Sequence, residues 1–161
     1  MAADRANELI FLHQEGKTEM PIVKWMKSFS VQNKMLDDQH KKWIEIYNTV
    51  HAQIIGLEPT DNYLGIGEAA LTEMIEYTKN HFSWEERFMR IIGYPMYEEH
   101  KNIHQAFAVK LERLLSQMQK DSHILNSEIL KEIENWFINH IQKEDQKITK
   151  YARRVKEGVV E

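Results

Sequence analysis

The sequence predicts an all-α protein, an antiparallel up-down four-helix bundle with short N- and C-terminal extensions. Three observations carry the prediction. Apolar residues recur at alternating three- and four-residue spacing in four separate stretches, as they do on helices buried along one side. A few residues join each stretch to the next, which makes antiparallel neighbours the economical packing. The chain has 161 residues, no internal repeat, three prolines and six glycines, the size and punctuation of one domain. Residues 1–24 read as an N-terminal extension, 25–145 as the bundle and 146–161 as a C-terminal tail.

The extension holds one apolar cluster, Leu9-Ile10-Phe11-Leu12, closed by Gly16 and then Pro21. It reads as a short segment packed on the main body. Four consecutive apolar residues, which a lone helix leaves exposed, also suit docking to a protein partner or self-association. From Trp25 to Leu36 no clear period is present, and the stretch reads as a connecting loop. Asp37 or Asp38 then caps the first helix. Its stripe runs through His40, Trp43, Tyr47, Val50 and Ile54 and stops at Gly56 and Pro59.

Asp61 or Asn62 caps the second helix, which turns Ala70, Met74, Tyr77, His81, Trp84 or Glu85, and Phe88 inward and ends at Gly93. Gly65 and Gly67 weaken its first turns. Tyr94-Pro95 breaks the pattern. The third helix presents His100, Ile103 or His104, Phe107, Leu111, Leu114 and Met118, and the polar segment from Lys120 to Asn126 ends it. The fourth carries Ile129, Ile133, Trp136 or Phe137, and His140.

Composition excludes several function classes. A net charge of -4 and a pI near 6.1, with basic and acidic residues interspersed, provide no field for nucleic acid. Without cysteine there are no disulfides or thiolate sites, so any metal must be held by histidine and carboxylate. Apolar runs are too short for a signal-sequence core or a membrane span. The expectation is a cytoplasmic protein that engages neither membrane nor nucleic acid.

Of eight histidines, five (His40, His81, His100, His104 and His140) occupy core-facing positions, whereas His13, His51 and His123 do not clearly do so. One such residue is commonly a hydrogen-bonded core histidine. Five in one small bundle would each need a private partner, and every unsatisfied polar group costs about 1–3 kcal/mol. One shared metal centre satisfies them together. His81 and Glu85 lie ~40° apart around a helix and ~6 Å apart along it, so one centre can take both. His40 and His100 fall early on their helices and His81 and His140 late on theirs, which puts all of them at one end of an up-down bundle. A further carboxylate should follow His140. Glu144 has the better helical spacing, while Asp145, ~140° away on a regular helix, reaches only through a π-type turn or a helix end. Spacing favours Glu144 slightly and leaves both open.

Four motifs stand in order: Asp37-Asp38-Gln39-His40, His81-Phe82-x-x-Glu85-Glu86, Glu99-His100-x-x-x-His104 and Trp136-x-x-x-His140-Ile141-x-x-x-Asp145. Together they resemble the full motif set of the bacterial hemerythrins, over about residues 22–145. The resemblance implies two non-haem irons inside the bundle. His100, His104 and His140 complete one and His40 and His81 bind the other, with Glu85, Asp145 and an oxo or hydroxo oxygen bridging the pair. It thereby selects Asp145 over Glu144. The iron with two histidines takes dioxygen as its ligand, and Trp43, Phe82, Trp136, Phe137 and Ile141 line the gas pocket. The implied function is reversible dioxygen binding for carriage, storage or buffering, without enzymatic turnover. An oxygen- or redox-sensing regulatory module is the alternative, and a peroxide or nitric oxide reductase at the same irons is a third reading. Ferritin-like and oxygenase-type bundles use Glu-x-x-His pairs, and no such pair occurs in the chain.

The chain departs from the family pattern in two places. Trp43 and Phe137 are aromatic where the family is usually aliphatic, and Trp84 is large for its position; these residues either repack the core or narrow the pocket. Gln146-Lys147-Ile148-Thr149-Lys150-Tyr151 delays by three residues the tyrosine that usually follows the aspartate. Lys147, Lys150, Arg153, Arg154 and Lys156 then form a basic run, read as a solvated helix end complementing the helix dipole or as a contact for an acidic partner.

Overall fold

Each stretch of three-four spacing is a helix in the computed structural model, which describes residues 23–55, 63–121 and 125–159. Helix α1 spans Lys34–Ile55, α2 Tyr63–Ile91, α3 Tyr97–Asp121 and α4 Ser127–His140. A π-helical turn, Ile141–Asp145, leads without a break into α5, Gln146–Lys156. Helices α1 to α4 form an antiparallel up-down bundle in which α1 packs on α2 and α4, and α2 on α3. Among the described residues there is no strand, and no helix is long and apolar enough to cross a membrane. The cluster Leu9–Leu12, the breakers Gly56 and Pro59, the caps Asp61 and Asn62, and His13 and His123 lie outside the described residues.

Helix α1 begins before its apolar stripe does, because its cap is Asn33 and neither Asp37 nor Asp38. Asn33 Oδ1 accepts from Met35 N at 3.1 Å and from Leu36 N at 3.4 Å. Asp37 sits inside the first turn and accepts from Val31 N at 2.8 Å and Ser30 Oγ at 2.6 Å, fastening the incoming chain to the helix. That stretch is more than a connecting loop: it holds a 3-10 turn at Lys27–Phe29, and Phe29 and Val31 are buried.

Gly67 also has a different part from the one its helix propensity suggests. It is buried, and a Cβ there would lie 3.0 Å from Met118 Cε and 3.5 Å from Ile54 Cδ1. The missing side chain lets α1 and α3 close on α2. Helix α2 ends in a Schellman turn, with Gly93 at φ +63°, its N–H on Arg90 O at 3.2 Å and Tyr94 N on Met89 O at 2.9 Å. This tight reversal brings His81 and His100 to similar height. Met89, Tyr94 and Ile148 form a small second core under α5, where the Tyr151 hydroxyl donates to Gly93 O at 3.0 Å.

Asn126 caps α4 by accepting from Ile129 N at 3.0 Å. Asn126→Ala is expected to cost about 1 kcal/mol, read from the urea midpoint, because it leaves that first-turn donor without a partner.

Candidate metal centre

All five histidines singled out from the sequence are buried, and so are Glu85 and Asp145. They meet at one end of the bundle. The π turn delivers the last of them: a bond pattern of i to i+5 brings residues five apart onto one side, so Asp145 joins His140 on the inside. Glu144 points outward and pairs with Lys147 at 2.6 Å.

The seven side chains form two groups that share one member. His40, His81 and Asp145 make one; Glu85, His100, His104, His140 and Asp145 make the other, with the ligand atoms of each group within 4.8 Å of one another. Asp145 faces both ways. Its Oδ2 is 3.2 Å from His40 Nε2, while Oδ1 is 3.0 Å from His140 Nε2 and 3.5 Å from His100 Nε2. Glu85 Oε2 lies 3.1 Å from His104 Nε2 and 3.3 Å from His100 Nε2. The Nε2 atoms of His100 and His140 each stand 3.0 Å from that of His104.

Close approach here is not mutual satisfaction. His40 Nε2, His81 Nε2, Glu85 Oε1 and both oxygens of Asp145 are buried without a hydrogen-bond partner. Polar atoms left in that condition cost about 1–3 kcal/mol each. Lone pairs aimed at common points are what a cation needs, and the donor set of imidazole nitrogens and carboxylate oxygens suits iron among other divalent metals. The residues present therefore fit the metal pair that the sequence resemblance implies.

Two of the histidines are held from behind. His81 Nδ1 donates to Gln39 Oε1 at 3.0 Å, and His104 Nδ1 donates to Glu86 Oε1 at 3.1 Å. An acceptor on Nδ1 fixes the ring and leaves the Nε2 lone pair facing the centre. Sequence reasoning did not assign Gln39 and Glu86 a role. Their position beside ligands inside the two motifs was the available signal.

Burial, reinforced by the neighbouring His40, takes His81 down to about 3 and keeps it neutral. Burial also pulls on His104, but its hydrogen bonds to Glu85 and Glu86 win and raise it to about 9. Glu85 lies below its usual range: burial and Asp145 push it up, and the hydrogen bonds of His100 and His104 outweigh them. For Asp145 burial is outweighed by His140 and His40, and its carboxyl lies well below the usual value. The centre thus presents two carboxylates, a neutral His81 and a His104 proton that a metal must displace.

Aromatic rings pack around these groups. Phe137 meets the rings of His40 and His81 at 5.9 and 6.4 Å and stacks on Trp43 at 3.6 Å. Trp43 is anchored by its Nε1 donating to Thr78 Oγ1 at 3.0 Å. Phe82 stacks on His104 at 3.8 Å, and Trp136 on His140 at 4.6 Å. Ile141 is fully buried. Trp84, which from the sequence could have crowded this interior, lies outside it: the side chain is 48% exposed with Arg87 over the ring, and Glu85 takes the inward position.

The Hemerythrin HHE cation binding domain family matches residues 31–152. A bacteriohemerythrin of Campylobacter jejuni subsp. jejuni serotype O:23/36 (strain 81-176) is 32% identical over 127 residues, 78% of this chain and 91% of that protein. One of Stenotrophomonas maltophilia (strain R551-3) is 28% identical over 137 residues, 85% of this chain and 84% of that one. In fold, the chain is similar to a crystal structure of wild-type hemerythrin, with a TM-score of 0.74 at 24% identity over 81% of this chain and 98% of that one. With the helices, the buried histidine and carboxylate groups and the match over most of the bundle in agreement, the chain belongs to the hemerythrin HHE cation-binding family.

Proposed function

We propose that this protein binds dioxygen reversibly at a non-haem di-iron centre and serves in carriage, storage or buffering of oxygen, without enzymatic turnover, in the cytoplasm. The observation that carries the reading is the set of buried, unpartnered donor atoms arranged in two groups around Asp145. His100, His104 and His140 would hold one iron, His40 and His81 the other, and Asp145 both; Glu85, grouped in the structure with the three histidines and with its Oε1 unpartnered, would be the second shared ligand. When bound, the iron pair lends electrons to dioxygen and recovers them on its release. The chain's own part is to keep His81 neutral, to hold two carboxylates ionised as counter-charge, and to withhold water and protons. Trp43, Phe82, Trp136, Phe137 and Ile141 do the last of these by walling the site with apolar surface. Iron analysis with visible spectra under air and under vacuum tests the reading: reversible colour supports it, and iron-free protein overturns it.

A regulatory reading draws support from one feature. Asp145 is followed directly by α5, so a shift at the centre has a helix attached to it. Rapid irreversible oxidation with changed proteolysis of residues 150–161 would favour that reading, and sustained consumption of peroxide or nitric oxide would indicate an enzyme.

Phe137 offers a test of the walls. Phe137→Leu is expected to open room beside His40 and His81, speed uptake of small ligands such as azide severalfold, and cost about 1–3 kcal/mol of stability. Stopped-flow mixing with the iron-loaded protein measures the first effect and urea unfolding the second.

A further inference from the structure

The two polar side chains that back histidines from outside the centre differ in charge. Gln39 accepts from His81, and its own backbone carbonyl is held by the Tyr77 hydroxyl at 3.1 Å. Glu86 accepts from His104 and is 20% exposed, at a surface cleft of about 370 Å³ that Lys79 and Lys101 also line. Exposure at that cleft, where Lys101 and Lys79, the latter paired with Glu112, form part of the lining, suits an acidic side chain. The backing is selective, since Nδ1 of His40 and of His140 is buried without a partner. One backed histidine belongs to each of the two ligand groups. An imidazole whose N–H points at a carboxylate gains imidazolate character and becomes a stronger donor than one pointing at an amide oxygen, and outer partners of this kind move metal affinity about 10–100-fold.

Resting on the di-iron reading, we propose that Glu86 and Gln39 are positioning residues of unequal charge that set the two metal positions apart. Glu86 tightens the three-histidine position and favours its higher oxidation state. Gln39 keeps the two-histidine position, where the gas ligand enters, the weaker and more easily reduced of the two.

The test is titration of Co(II) into the metal-free full chain, followed by iron loading and measurement of the midpoint potential. Glu86→Gln keeps an acceptor oxygen but removes the charge. The expected result is a tight step weakened about 10–100-fold, an unchanged weak step and a higher potential. Gln39→Glu should strengthen the weak step and lower the potential. A fold merely loosened by substitution weakens both steps together, and that result overturns the proposal, as does Glu86→Gln with wild-type constants and potential. If Glu86→Gln fails to fold, Gln39→Glu decides alone, and unmoved constants in it overturn the proposal. A wild-type chain that takes up neither cobalt nor iron removes the di-iron reading and this inference with it; normal two-ion loading with unresponsive variants removes the inference only.

Discussion

Asp145→Ala is expected to empty both metal positions, while Glu144→Ala loads as the wild type does. Asp145 is the one side chain common to the two ligand groups, with one oxygen toward His40 and the other toward His140 and His100. Its removal therefore takes an anionic ligand from each position at once. Outer-shell partners alone are worth about 10–100-fold in metal affinity, so loss of a shared ligand should exceed that range. Glu144 sits one residue earlier, at the spacing a regular helix favours, yet only its surface pair with Lys147 is lost on substitution, and an exposed pair contributes about 0–1 kcal/mol. Iron per chain and visible absorbance of the two variants, prepared side by side, decide the matter. Iron retained in Asp145→Ala would sink the assignment.

That contrast marks where sequence reading stops. The four bundle helices were legible because each buries one face, and the same phase that places Trp43, Met74 and Phe107 inside places His40, His81 and His104 inside with them. Asp145 was not decidable from phase, since one π turn changes the angle per residue locally and nothing in Ile141-Gln142-Lys143-Glu144 announces it. Trp84 and Glu85 are neighbours that both sit within reach of the apolar stripe, and only packing shows which one turns in. The cap of α1 was misplaced because Asn33, Asp37 and Asp38 all have capping side chains, and Asp37 uses its own on the preceding loop. Gln39 and Glu86 stand beside ligands in the chain, but the rings they hold are 42 and 18 residues away. Contacts at such separations follow from helix packing and not from local spacing.

Without metal, the protein is expected to be most stable near pH 6.5, to weaken on both sides, and to lose the alkaline weakness once iron is bound. On the acid side an unfolded His81 takes a proton below its ordinary 6.5, whereas the buried ring, held to about 3, refuses it. The unfolded state then binds more protons, so stability falls as the pH drops from 6.5 toward 3. Glu85 and Asp145, both depressed, act in the same sense below their ordinary values. On the alkaline side His104 keeps its proton to about 9 in the fold. Its contribution is complete below 6.5 and is lost as the pH rises through 9.

Metal binding expels that proton, so apparent affinity should climb by about tenfold per pH unit between 6.5 and 9. At a thousandfold excess over the dissociation constant, binding adds about 4 kcal/mol, which in a domain of this size moves the thermal midpoint by roughly ten degrees. Melts at pH 5, 6.5 and 8.5, with iron or with chelator, resolve each limb. A metal-free midpoint that rises steadily from pH 6.5 to 9 would contradict the role given to His104.

The five-residue π turn also lets one extra residue pass without changing the face that the rest of the chain presents. Removing one residue between Ile141 and Glu144 would return the segment to ordinary winding and set the aspartate four places after His140, a separation that a regular helix keeps on one face. Asp145 would stay on the inside, and Ile148 and Tyr151 would keep their sides toward Met89 and Gly93. A one-codon insertion at the same place is the damaging change, since the extra residue would turn Asp145 and the C-terminal packing away together by about 100°.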